Sequence, residues 1–175
     1  PLLGGRWEVH AVLSGAMGTV LILVDPATGG RLAAKTPSGD RPPSPDALRR
    51  FQAEARTWMS LGHHENVVEA FFLEEIEWRG SVRPFLFLEF VDGLTARAYL
   101  RMVLDTGQAG LPEAEAIAIV AAASRGLAAA HAAGVVHRDV KPDNILVPWV
   151  RGTRQPDLAA AKLADLGLAK MEGSG

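Results

Sequence analysis

Between Val135 and Val147 the chain reads VVHRDVKPDNILV, and its middle gathers His137, Arg138, Asp139, Lys141, Asp143 and Asn144. Asp139 and Asn144 stand five positions apart, with Lys141 between them. A loop of this kind offers a carboxylate as base, a cation for an anionic substrate and an amide oxygen for a metal. Phosphoryl transfer calls for that set, because the protein's part in it is positioning and charge neutralisation. On composition alone the stretch also fits a polar turn between two strands. Val135-Val136 on one side and Ile145-Leu146-Val147 on the other are β-formers, and the pattern predicts strands that fix both ends of the loop.

The elements upstream follow from periodicity and punctuation. Arg6–Leu13, Val20–Asp25 and Arg31–Thr36 read as strands of an antiparallel meander. Gly15 and Gly18, in the turn between the first two, let backbone approach an anion closely. An ordinary hairpin turn would also use them. No Walker-type G-x-x-x-x-G-K-[ST] is present, which excludes a P-loop. Lys35 closes the third strand, with the small Ala33 two residues before it. Ser44-Pro45 is an N-cap followed by proline, and Leu48, Phe51, Ala55, Trp58 and Met59 predict a helix from Asp46 to about Leu61. Glu54 lies on the edge of that stripe, 54 − 35 = 19 residues after Lys35, and an ion pair between them is expected. His63 and His64 have no ligand spacing and read as helix-end residues.

Val67–Trp78 and Pro84–Val91 are two further predicted strands, the second nearly all apolar and so buried. Leu94–Leu104 reads as a short amphipathic helix. A long helix from Pro112 to about Ala133 ends at Gly134, with Ile117, Val120, Ser124, Leu127 and His131 at helical spacing and His131 expected in the core or at the cap. Pro148–Asp157 is a turn-rich insertion, followed by KLADLGL at 162–168.

Taken together these motifs resemble the protein kinase family. HRDVKPDN is similar to its catalytic loop in the serine/threonine branch. Leu13 to Val20 is similar to the glycine-rich loop, with Leu13 in place of the first glycine, and Ala33–Lys35 to the A-x-K of the third strand. Leu61–Val68 resembles the stretch leaving the following helix, Leu88–Val91 the hinge, and Asp165-Leu166-Gly167 the D-F-G magnesium motif with leucine for phenylalanine. The resemblance is strongest to bacterial Hanks-type serine/threonine kinases and covers the N-terminal part of their catalytic domain.

That resemblance implies an α+β, protein-kinase-like fold: a five-stranded antiparallel N-lobe sheet with one long helix over residues 1–91, and the first, mainly helical part of a C-lobe over 92–175. It implies ATP and Mg2+ as cofactors. Lys35, oriented by Glu54, would hold the α and β phosphates. Asp139 would accept the substrate hydroxyl proton, and Lys141 would steady the γ-phosphate. Asn144 and Asp165 would bind magnesium. Leu13, Gly15, Gly18, Val20, Ala33 and Leu146 would enclose the nucleotide, with Leu88 as gatekeeper and the backbones of Glu89 and Val91 meeting the adenine. The implied function is phosphorylation of serine and threonine hydroxyls on protein substrates. The activation segment and later C-lobe helices are expected outside this sequence and required for activity. The other reading is a nucleotide-binding, pseudokinase-like interaction module without catalysis.

Composition bounds the rest. A net charge of −2 gives no global attraction to nucleic acid or anionic membranes. The absence of cysteine excludes disulfides, thiolate metal sites and cysteine nucleophiles. The sequence has no membrane-span pattern and no signal pattern, and a cytoplasmic setting is expected, with any membrane anchor outside this chain.

Overall fold

The computed structural model describes residues 1–15, 18–38 and 43–166. Ala16 and Met17 of the glycine turn, Gly39–Pro42, and the segment from Gly167 of the Asp-Leu-Gly motif to Gly175 lie outside the described residues. The chain divides into two units. The first comprises Pro1–Gly62 and Glu69–Phe90, the second His63–Val68 and Val91–Gly175. The six-residue excursion His63–Val68 therefore belongs with the second unit, where the sequence reading drew one boundary at Val91.

In the first unit β1 (Leu2–Leu3), β2 (Trp7–Gly15), β3 (Gly18–Val24), β4 (Arg31–Thr36), α1 (Pro45–Met59), β5 (Ala70–Trp78) and β6 (Ser81–Glu89) follow one another. The strands form one antiparallel sheet in the order β1-β2-β3-β4-β6-β5. Five strands answer to the sequence pattern. The sixth, the two-residue β1, pairs Leu3 with Trp7 and is too short to show a period. One sheet face buries Leu21, Leu23, Ala34, Phe85 and Phe87 with Leu3, Trp7 and Ile76. Ser44 caps α1, its hydroxyl accepting from Ala47 N at 3.2 Å with proline at the first turn. Phe51, Ala55 and Trp58 form the buried stripe of that helix, which packs on β5 and β6.

In the second unit β7 (Gly93–Thr95) leads into α2 (Ala96–Asp105), then α3 (Glu113–Ala132), a 3-10 turn at Pro142–Asn144, β8 (Ile145–Pro148) and β9 (Lys162–Leu163). A three-stranded sheet in the order β7-β8-β9 packs with α2 and α3 around Tyr99, Val103, Ile119, Ala122, Ala123, Val147 and Leu163. Two expectations need correction here. The buried face of α3 is Ile119, Ala122, Ala123, Gly126 and Ala130, whereas Ile117 and Val120 are 60% and 62% exposed and Ser124 and His131 also face outward. An alanine-rich helix is apolar nearly all round, so the large residues do not mark its inner face. The small ones do, because they admit another backbone. A Cβ on Gly126 would sit 2.3 Å from Asn66 O.

Val135-Val136 is likewise not a strand. Gly134 N bonds His131 O and Val135 N bonds Ala130 O, the Schellman ending of α3. The backbone goes directly from that ending into the loop. Among the described residues no helix is long and apolar enough to cross a membrane.

Candidate active site

The loop after α3 is held from its own side chains outward. His137 is 1% exposed. Its Nδ1 accepts from Asp139 N at 3.3 Å, which leaves the ring proton on Nε2 to be donated to Ala164 O at 3.1 Å. Ala164 N in turn donates to Asn144 O at 2.9 Å. One residue, immediately before Asp165, is thus tied to both ends of the loop. Asn144 closes the loop on itself, its Nδ2 donating to Asp139 O at 2.9 Å and to Asp139 Oδ2 at 3.0 Å. That commits the amide nitrogen inward, to Asp139, and leaves Oδ1 as the acceptor of the side chain. Lys141 Nζ donates to the same Asp139 Oδ2 at 2.6 Å.

Two non-glycine residues take left-handed backbone here, Arg138 (φ 61°) and Asp165 (φ 58°). Such conformations cost on the order of 1–3 kcal/mol each and persist where surrounding bonds over-determine them. The bonds of His137 and Ala164 flank both positions.

The charges of the loop are coupled. The hydrogen bond to Asp139 raises the Lys141 pKa above its ordinary value, against a smaller effect of desolvation, and the negative charges of Asp139, Asp143 and Asp165 add to it. Asp143 receives Arg97 Nε of α2 on both carboxylate oxygens, at 2.8 and 2.7 Å, and this bond first of all lowers its pKa. Leu146 is half-buried on β8, paired with Thr95 and Lys162.

In the first unit, strand register gathers the remaining positions. Leu13 pairs with Val20, Val20 with Lys35, and Ala33 with Leu88. Directly paired residues share a sheet face, as do residues two apart on one strand. Leu13, Gly15, Gly18, Val20, Ala33, Lys35 and Leu88 therefore line one face, opposite the core of Leu21, Ala34 and Phe87. Gly18 has φ 140°, and a Cβ there would lie 2.9 Å from Thr36 O and 3.4 Å from Lys35 Cε. The turn can lie flat against β4 only without that atom. Leu13 is 58% exposed, and Leu88 is buried. Glu54 is half-buried on α1 between Phe51 and Trp58. Glu89 N donates to Glu69 O at 2.9 Å, and Glu89 Oε2 accepts from Glu69 N at 3.2 Å. Val91 is half-buried and belongs to the second unit.

Comparison with known proteins gives the family. A model of the protein kinase domain matches residues 8–175. The chain belongs to the protein kinase domain family. It is 34% identical over 175 residues to the serine/threonine-protein kinase Pkn1 of Myxococcus xanthus, covering 98% of this chain and 23% of that protein. It is also 34% identical over 165 residues to PknA of Mycobacterium tuberculosis, covering 93% of this chain and 37% of that protein. The crystal structure of the M. tuberculosis PknI kinase domain superposes with a TM-score of 0.70 at 30% identity, covering 97% of this chain and 61% of that one. The chain thus spans less than two thirds of each of these relatives.

Two features of this kinase domain go beyond the sequence reading. His137 was legible as a motif letter, but its tie to Ala164 joins residues 27 apart and leaves no periodic mark. Asn66 is fully buried. Its Nδ2 donates to Ala159 O and Ala161 O at 3.1 and 2.9 Å, its Oδ1 accepts from Arg125 Nε at 2.9 Å, and its backbone O accepts from Leu163 N. It anchors the strand that leads to Asp165. A polar residue ahead of Val67-Val68 was the available signal.

Proposed function

We propose that the protein transfers the terminal phosphoryl group of ATP to serine or threonine hydroxyls of protein substrates. The observation that carries this reading is the double tie of Ala164 to His137 and Asn144, which fixes Asp139, Asn144 and Asp165 relative to one another. Family membership implies ATP and a divalent cation in general terms, and the residue roles are our reading.

The donor set suits a hard cation. The Asn144 amide is oriented with its nitrogen inward, and Asp165 adds a carboxylate on constrained backbone. Oxygen ligands of this kind fit Mg2+. Asn144 and Asp165 would hold it, and bound there it would neutralise charge on the transferring phosphates.

The chain's own residues do the rest. Lys141 and Asn144 fix the Asp139 carboxylate, so Asp139 receives the hydroxyl proton without first having to reorient. Lys141, kept protonated by that carboxylate, supplies positive charge to the terminal phosphate. In the first unit Lys35, with Glu54 as its orienting partner, would hold the α and β phosphates. The face of Leu13, Gly15, Gly18, Val20 and Ala33 would exclude water from the nucleotide, and Leu146 would be a further nucleotide contact. Leu88 would act as gatekeeper. The Glu89 N–H is committed to Glu69, so an adenine would meet the Glu89 carbonyl and the backbone of Val91.

The test is phosphate incorporation by the full-length polypeptide given Mg-ATP and a generic protein substrate, wild type against Asp139→Asn. Loss of a positioned general base should lower the rate by about 10²–10⁴-fold. Equal incorporation by the two proteins would overturn the reading, and nucleotide binding without turnover in the wild type would favour a pseudokinase-like binding module.

A further inference from the structure

Lys141 stands two residues from each of two carboxylates, Asp139 and Asp143. Its Nζ donates to Asp139 Oδ2 at 2.6 Å, an oxygen that Asn144 Nδ2 also reaches. Asp143 is near enough to act on the same ammonium. The Lys141 pKa, raised first by the bond to Asp139, is raised by the Asp143 charge as well. What separates the two acids is α2. Arg97 Nε lies 2.8 Å from Asp143 Oδ1 and 2.7 Å from Oδ2, so one guanidinium covers both oxygens of that carboxylate.

The fold holds Arg97 in place for this contact. It is the second residue of α2, whose cap Thr95 accepts from Ala98 N at 3.0 Å and pairs with Leu146 of β8. β8 begins directly after the 3-10 turn Pro142–Asn144, so the start of the helix and the turn share one anchor. A cation in the first turn of a helix faces the positive end of its dipole, and α2 has no acid in its own first turn. Asp143 supplies that charge from the loop. The pair adds little to stability, because the two side chains are 45% and 43% exposed. Its effect is local, on what Asp143 can bond.

We propose that Arg97 is a positioning residue that occupies Asp143 and so reserves the Lys141 ammonium for Asp139 and the terminal phosphate. The inference rests on the phosphoryl-transfer reading for what Lys141 does there. Without Arg97, Asp143 is a carboxylate stripped of its guanidinium, whereas Asp139 keeps the Asn144 amide. An ammonium on a flexible four-carbon stem moves to the acid whose charge is less compensated. Lys141 then turns from Asp139 to Asp143 and away from the transferring group.

The experiment uses the full-length polypeptide with Mg-ATP and a generic protein substrate. Arg97→Met, which keeps the stem without the charge, should lower kcat about fivefold, the weight of one hydrogen bond in the competition between two acids. KM for ATP and the thermal melt should not change. Adding Asp143→Asn to Arg97→Met removes the competing charge and should bring kcat back to within about twofold of wild type, a reversal that a merely structural part for Arg97 would not give. Crystal structures supply a readout independent of turnover, with Lys141 Nζ on Asp139 in wild type and on Asp143 in Arg97→Met. An unchanged kcat in Arg97→Met, a fall that Asp143→Asn deepens or leaves in place, or Lys141 still on Asp139 in crystals of Arg97→Met would overturn the proposal. A wild type that incorporates no phosphate would instead sink the transfer reading, and the crystal structures alone would then decide whether Arg97 sets the partner of Lys141.

Discussion

Replacing Asn66 by leucine should loosen the strand that carries Asp165, by an amount the hydrogen bonds allow to be worked out. Leucine keeps the branched shape of the side chain but is bulkier, so any overpacking adds to the loss worked out from the bonds. Three side-chain bonds disappear, but not equally. Ala159 O keeps a donor, because Arg125 Nη2 reaches it at 3.0 Å. The Arg125 side chain is 47% exposed, so water can replace Asn66 Oδ1 on its Nε. Ala161 is fully buried and loses the 2.9 Å bond to its carbonyl outright. A stranded buried acceptor costs about 1–3 kcal/mol, and the replaceable bonds add on the order of 1 kcal/mol. The expected total is about 2–4 kcal/mol. Amide hydrogen exchange reads it directly, through Leu163 N, which bonds Asn66 O, and Val68 N, which bonds Leu163 O. Their protection should fall by about 25- to 700-fold, taking 1.4 kcal/mol as a factor of ten. Protection within threefold of wild type would show that the Asn66 side chain does not hold this strand.

Gly126→Ala sets two effects against each other. Helix propensity favours alanine by about 1 kcal/mol, while a Cβ 2.3 Å from Asn66 O forces α3 away from residues 63–68. The clash involves backbone and should win, giving net destabilisation in a denaturant melt, whereas a gain in stability would refute the close approach. Tyr99 is the single tyrosine of the chain, so tyrosinate absorbance reports it alone. Burial first, then its 2.7 Å hydrogen bond to Glu115, pushes its pKa up to about 12. The phenol is the favoured form, so its contribution to stability is complete below the ordinary value of 10 and fades as pH rises toward 12. The folded protein should titrate near 12, Glu115→Gln lower, and a folded midpoint near 10 would contradict the buried bond.

Elements with one clear signal were legible in the sequence. The Ser44 cap and the stripe Phe51, Ala55, Trp58 fix α1 within a few residues. The span of β4 reads directly, and with it the placing of Ala33 and Lys35 on one face. The order of the motifs was enough to name the family. What failed failed for physical reasons. On α3 the close approach of Gly126 to Asn66, not hydrophobic contrast, decides which side is buried. Val135-Val136 has strand composition, but the Schellman ending of α3 leaves no room for a ladder before His137 turns inward. The ties that position the candidate site join residues far apart in sequence, as in His137 with Ala164 and Asn66 with Ala161. Neither 3.6- nor 2-residue periodicity carries such information.

In the proposed reading Asn144 and Asp165 are the oxygen ligands of a cation carried with ATP. Paramagnetic Mn2+ in place of Mg2+, added with ATP, tests it most directly through relaxation of amide signals. The strongest broadening is expected at Asn144, Asp165 and their neighbours, lost in Asn144→Ala and absent when Mn2+ is given without nucleotide at the same low concentration. Broadening centred elsewhere on the chain, with Asn144 and Asp165 sharp, would contradict it.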